Sequence, residues 1–174
     1  MLAPIDSAKV TSNLWGERWS KLCINCMRNP LSAATGRGGN ANDEDPVTRR
    51  LAIMLAGEAV KIGLAQGYEL EKMYGLTPEQ LAAAHDGANK AFVDCEETLL
   101  AGTKGRSDGQ RPSMGQDMQK GRRTEIDYLN GLVAERAAEL GLAAPYNSGM
   151  AEVVRRIERG EIVASPEAVA HLVT

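Results

Sequence analysis

Lys21, Asn25 and Asn29 stand four residues apart in the stretch NLWGERWSKLCINCMRNPLSAAT, residues 13–35. At about 100° per residue, four residues advance a helix by roughly 400°, so the three side chains form a slightly skewed polar stripe. Trp15, Trp19, Leu22, Cys23, Cys26 and Met27 flank it with apolar surface. Only Glu17 offers a carboxylate within a turn of the lysine. An unpaired ammonium costs several kcal/mol to bury fully, while partial desolvation lets an amine hand over a proton near neutral pH. Two amides beside it would orient a small polar ligand. The competing reading is that the lysine snorkels to water and the amides bond nearby backbone. Spacing by itself leaves both open.

The elements that must carry this stripe are read from caps and periodicity. Asn13 is a candidate N-cap, and Pro30 disturbs the helix near Asn29, with LSAAT adding a further turn before Gly36. The segment GRGGNANDED, residues 36–45, reads as a loop. Its Gly-x-Gly-Gly is a poor phosphate cradle, because a helix rather than a strand precedes it. Asp45-Pro46 opens a helix that Gly67 closes, with Leu51, Met54, Leu55, Ala59 and Ile62 on its core face and Glu58 near that face but solvated. Thr77-Pro78-Glu79-Gln80 is a capping box for a helix running to about Leu100. A Gly- and basic-rich loop follows, residues 101–112. Ser113-x-x-Gln116 and Thr124-x-x-Asp127 then cap two more helices. A further amphipathic helix carries Met150, Val153, Val154 and Ile157, and Ser165-Pro166-Glu167 starts a short turn. The expectation is an all-α domain of about six or seven helices over residues 13–174, preceded by a lead-in or interdomain linker at 1–12.

Composition agrees. The 174 residues contain one Phe, two Trp and four Tyr, which suits helices packed through small side chains. A net charge of −3 provides no strong field for nucleic acid or anionic lipid. No run of eighteen apolar residues and no secretory leader is present, so a soluble, cytoplasmic chain is expected without membrane or nucleic-acid partners. Cys23-Ile24-Asn25-Cys26 fits C-x-x-C but lacks a second ligand pair, and His85 and His171 are distant. Packing, with no metal, is the expected role of these cysteines.

Together, Leu14-Trp15, Ser20-Lys21-Leu22, Asn25, Asn29-Pro30-Leu31-Ser32-Ala33, then Ser113-Met114, Gln116-Asp117 and TEIDYLNG at 124–131 resemble the C-terminal domain of ketopantoate reductase (2-dehydropantoate 2-reductase). The resemblance runs from about Asn13 to Ile157. It implies the helical fold of the 6-phosphogluconate dehydrogenase C-terminal type, whose usual companion, an N-terminal NADPH-binding Rossmann domain, is absent from this chain. It further implies Lys21 as the catalytic proton donor, Asn25 and Asn29 as substrate-holding amides, Ser113 as the carboxylate-binding hydroxyl and Glu125 as a cofactor contact. Hydride addition to a ketone puts negative charge on oxygen, which a nearby ammonium stabilises before donating its proton.

Two departures bear on the substrate. Asn40 is a displaced counterpart of an asparagine that many members carry after the NPL motif, and Pro112 stands where one of two serines is often found. The expected function is therefore the substrate-binding, lysine-bearing half of an NADPH-dependent reductase of 2-dehydropantoate, in pantothenate biosynthesis, inactive alone. Its partners would be a small 2-oxo acid and the missing Rossmann domain. Two alternatives remain: reduction of another 2-oxo acid, and a helical binding or dimerisation module without catalysis. Apolar surface left by a missing partner is compatible with a homodimer.

Overall fold

The computed structural model describes residues 10–107, 109 and 111–173. The lead-in expected at residues 1–12 thus lies mostly outside the described residues. Among these the chain is helical: α1 (Leu14–Thr35), α2 (Gly39–Glu44), α3 (Pro46–Ala65), α4 (Pro78–His85), α5 (Asn89–Ala101), α6 (Ser113–Gln119), α7 (Asn130–Glu139), α8 (Pro145–Glu158) and α9 (Glu167–Ala170). Two 3-10 turns, Gly102–Gly105 and Ile126–Tyr128, complete it, and the only strand-like pairing among the described residues is the bridge between Met73 and Leu76. No described helix is long and apolar enough to cross a membrane.

Helix α3 forms the axis of the core. Leu51, Ile53, Leu55, Val60 and Ile62 are all 2% exposed or less, so this helix is covered on several sides. α1 and α4 pack on it, α5 packs on α4, α6 lies on α1, and α7 pairs with α8. Close approach depends on missing side chains: a Cβ on Gly63 would stand 2.4 Å from Trp19 Cδ1. That indole donates Nε1–H to the Ala59 carbonyl at 2.9 Å, so Trp19 joins α1 to α3 by shape and by hydrogen bond.

Several local signals are realised. Asp45 accepts from Val47 N at 2.9 Å and Thr48 N at 3.2 Å, with Pro46 at the first helical position. Thr77 and Gln80 form the reciprocal capping box. α1 continues through Pro30 to Thr35, and Gly36 ends it at φ +70°.

Other expectations need correction. The loop at 36–45 contains α2, because Asn42 and Asp43 are buried and held from outside: Thr35 donates to the Asn42 side chain at 2.9 Å and Thr48 to its carbonyl at 2.6 Å. The helix expected from 78 to about 100 is two helices, broken at Gly87 with φ +90°. These two changes account for the larger helix number. Asn13 does not cap α1 with its side chain, donating instead to the Glu69 carbonyl at 2.8 Å. Ser113 is the first residue of α6 and makes no capping bond. Thr124 accepts from Ile126 N at 3.3 Å, but Asp127 turns outward to Arg155 Nε at 2.8 Å, which holds the Asp127 carboxyl below its ordinary range.

Glu58 is not solvated. It is 2% exposed and accepts from the backbone of Tyr146 at 3.1 Å and of Asn147 at 2.7 Å, and from Asn147 Nδ2 at 2.7 Å. It therefore serves as the acceptor for the first N–H groups of α8, delivered from α3. Asn147 extends the network to the Leu55 carbonyl, and Asn130 links Asn147 to the Cys26 carbonyl.

Candidate active-site cleft

The Asn25 and Asn29 part of the α1 polar stripe lies along a cleft of about 200 Å³. Asn25 and Asn29 line it from α1 and Asn40 from α2, while Arg106, Arg111 and Pro112 close it from the segment between α5 and α6. Both α1 amides are half-buried, as a helix face bordering a groove should be. Asn40 donates Nδ2–H to the Arg106 carbonyl at 3.1 Å, which ties α2 to the opposite wall. The amide held to be a displaced counterpart thus shares the cleft with Asn25 and Asn29.

Three expected site residues do not line this cleft. Lys21 is exposed on α1, one turn from Asn25. The partial desolvation expected of it is not provided by the described residues, among which Lys21 stays exposed while its neighbour Ser20 is buried and accepts from Glu71 N at 2.8 Å. Ser113 is exposed at the start of α6, with its neighbours Pro112 and Arg111 rather than itself on the cleft wall. Glu125 is exposed just before the 3-10 turn Ile126–Tyr128. The position of α6 is nevertheless fixed tightly against α1: a Cβ on Gly115 would stand 2.2 Å from Ser32 Oγ.

Arg28, Arg106, Arg111 and Tyr74 also line the cleft and were missed by sequence reasoning. Arg28 lies one position before Asn29, so its place beside the stripe was available from helical spacing. The Tyr74 signal is subtler. Tyr74 at φ +51° and Gly75 at φ +84° form a two-residue turn closed by Met73 N to Leu76 O at 2.8 Å and the reverse bond at 2.9 Å. That turn presents the Tyr74 ring to the Arg28 guanidinium, 5.0 Å from the ring centre.

A second groove of about 320 Å³ runs along α1 toward its N-terminus, lined by Trp15, Arg18, Leu22, Tyr68, Tyr128 and Leu132 among others. Trp15 and Tyr128 are 62% and 78% exposed there. Lys21 follows Arg18 by three residues and precedes Asn25 by four, so it occupies the strip of α1 between the two hollows. Cys23 and Cys26 face the core at 0% exposed, where burial pushes the Cys23 thiol up to about 12 and the Cys26 thiol well above its ordinary value. They are packing residues. No group of His, Cys, Asp or Glu among the described residues has the arrangement to hold a metal.

Residues 13–158 match the family described as ketopantoate reductase PanE/ApbA, C terminal. The 2-dehydropantoate 2-reductase of Pyrococcus horikoshii is 28% identical over 139 residues, which are 80% of this chain and 39% of that protein. That of Salmonella typhi is 29% identical over 149 residues, 84% of this chain and 41% of its own. Among solved structures, a PanE/ApbA family ketopantoate reductase from Ralstonia eutropha JMP134 superposes with a TM-score of 0.67 at 26% identity, covering 87% of this chain and 43% of that one. A D-mandelate dehydrogenase in complex with NADH and anilino(oxo)acetate shares the fold, with a TM-score of 0.65 at 23% identity. The chain thus spans about two fifths of the curated relatives it matches. Its helical order, its amide-lined cleft on α1 and this match over most of its length place it in the ketopantoate reductase family, as the C-terminal helical domain.

Proposed function

We propose that this chain is the substrate-binding, lysine-bearing part of a nicotinamide-dependent reductase that converts 2-dehydropantoate to pantoate. The observation that carries the reading is the joint placement of Asn25, Asn29 and Asn40 around one small cleft beside Lys21, in a chain whose named relatives are 2-dehydropantoate 2-reductases.

The cofactor expected is NADPH. The described residues contain no strand leading through a glycine turn into a helix, since Gly36 to Gly39 join two helices, so the dinucleotide would be held mainly by a Rossmann domain outside this chain. The exposed carboxylate of Glu125 fits the smaller role of accepting a hydrogen bond from a sugar hydroxyl or amide. When bound, the reduced nicotinamide supplies hydride to the ketone carbon. Asn25 and Asn29 orient the substrate with neutral hydrogen bonds. Lys21 neutralises the charge developing on the ketone oxygen and gives it a proton, so that hydride and proton together yield the alcohol. Closure of a second domain over α1 would desolvate Lys21 and strengthen that interaction.

The test is to express the full reading frame that contains these residues and measure 2-dehydropantoate-dependent NADPH oxidation. Lys21→Ala is expected to lower kcat by about 10²-fold or more while leaving the exposed site's folding intact. Absence of activity in both forms would remove the reductase reading.

A further inference from the structure

Three guanidinium groups converge on the cleft that holds Asn25 and Asn29, and a single buried carboxylate organises two of them. Asp43, on α2, is 1% exposed and pairs through one oxygen with both Arg28 of α1 and Arg106 from beyond α5. The Arg28 side chain is only 10% exposed, lies over the Tyr74 ring, and its buried Nε finds no acceptor among the described residues. Arg106 commits Nε to the Gly102 carbonyl at 3.0 Å and turns Nη1 past Gly39, where an added Cβ would stand 3.4 Å away. Arg111 donates Nη1 to the Gly36 carbonyl and completes the wall. Among the described residues, three guanidinium groups here face one carboxylate, so that part of the cluster is cationic. An array of guanidinium donors prepaid in position by a buried carboxylate, and still cationic, is chemistry that recognises a carboxylate.

We propose that Arg28, Arg106 and Arg111 seat the carboxylate of the 2-oxo acid, a role that the family resemblance gives to Ser113. The proposal rests on the reductase reading for the identity of the ligand. Ser113 stands off the cleft wall, and Pro112, which does line it, has no hydroxyl to offer. Asp43 acts as a positioning residue: it fixes two guanidinium groups before the ligand arrives, so little side-chain freedom is lost on binding. Arg28 follows Asn25 by three residues, one turn along the same cleft wall, and Lys21 precedes Asn25 by four. A carboxylate held there keeps the adjoining ketone beside Asn25 and within reach of the lysine arm.

The experiment is calorimetric titration of the 174-residue chain with 2-oxo-3-methylbutanoate and with its uncharged methyl ester. The acid is expected to bind about ten-fold or more tightly than the ester. Arg111→Ala, which removes a guanidinium that donates to the exposed Gly36 carbonyl, should weaken the acid by about ten-fold and the ester by less than about two-fold. Arg106→Gln should do the same, with circular dichroism reporting its fold, while Ser113→Ala should stay within about two-fold of the parent. Equal affinity for acid and ester, no binding of the acid, or a larger loss from Ser113→Ala than from Arg111→Ala each overturns the proposal. In the full-length enzyme, Arg111→Ala should raise KM with kcat little changed, since a contact present equally in ground and transition states is lost. An active enzyme whose KM ignores Arg111 sinks only the arginine seat. An inactive enzyme whose helical part still prefers acid to ester sinks only the reductase reading.

Discussion

The carboxylate of Glu58 accepts the backbone N–H of Asn147 at 2.7 Å, joining the middle of α3 to the first turn of α8 across 89 residues of chain. Both residues are essentially excluded from solvent, at 2% and 0% exposed. Removing the acceptor would leave three N–H groups facing it without a partner. Glu58→Ala is therefore expected to cost about 3 kcal/mol in urea unfolding. A variant as stable as the parent would mean the network contributes nothing net.

The same residue predicts a pH dependence. Burial, the largest influence, raises the Glu58 carboxyl above its ordinary value, and the donors from Asn147 and Tyr146 offset this only in part. The folded protein therefore holds this proton to higher pH than the unfolded chain does. Stability from Glu58 is fully present below the unfolded carboxyl's pKa and is lost as pH rises through the raised folded value. Thermal unfolding of the parent and of Glu58→Gln should differ in slope over that window, the parent losing more on going from acid toward neutral. Parallel curves would contradict the assignment.

Asp43→Asn is expected to lower stability by about 3 kcal/mol, because Arg28 and Arg106 would keep their charge in a mostly buried place without their shared anion. Denaturant unfolding at two salt concentrations checks it. A loss confined to low salt would instead indicate a screened surface interaction.

Gly115→Ala tests how α6 is held. The new Cβ would meet Ser32 Oγ at 2.2 Å, Ser32 Cβ at 3.0 Å and the Ser32 backbone carbon at 3.4 Å. The hydroxyl cannot simply turn away, since it donates to the Arg37 carbonyl at 2.8 Å. A cost of about 1–2 kcal/mol is expected, with part of it recovered by the double variant Gly115→Ala with Ser32→Ala. Additive effects of the two changes would show that this contact is not what sets the helix.

The three cysteines are all 0% exposed, with burial pushing the Cys95 thiol up to about 11 and the Cys23 thiol to about 12. At pH 8 a thiol reagent should label none of them rapidly in the folded chain and all three in denaturant. Fast labelling of any cysteine in the native protein would show that its burial is wrongly placed.

What the sequence determined by itself is a set of contacts that act within one helical turn. The Asp45 cap with Pro46, the Thr77–Gln80 box and the stop at Gly36 are local bonds between residues at most four apart, so they are legible without knowing the rest of the chain. The common face of Asn25 and Asn29 is fixed by the same period, and their family motif follows from residue identity. The tertiary structure decided what each polar group meets. Composition marks Gly-Asn-Asp as loop, yet α2 forms there because Arg28 and Arg106, 15 and 63 residues from Asp43, converge on its carboxylate. The burial of Glu58 likewise depends on where α8 is delivered. Lys21 remains exposed for the converse reason: an amine on a helix is dried only by what packs over it, and the described residues that bury Ser20 and Cys23 beside it leave Lys21 itself open. Hydrogen-bond partners and solvent exclusion are properties of chain closure, which spacing along one helix does not contain.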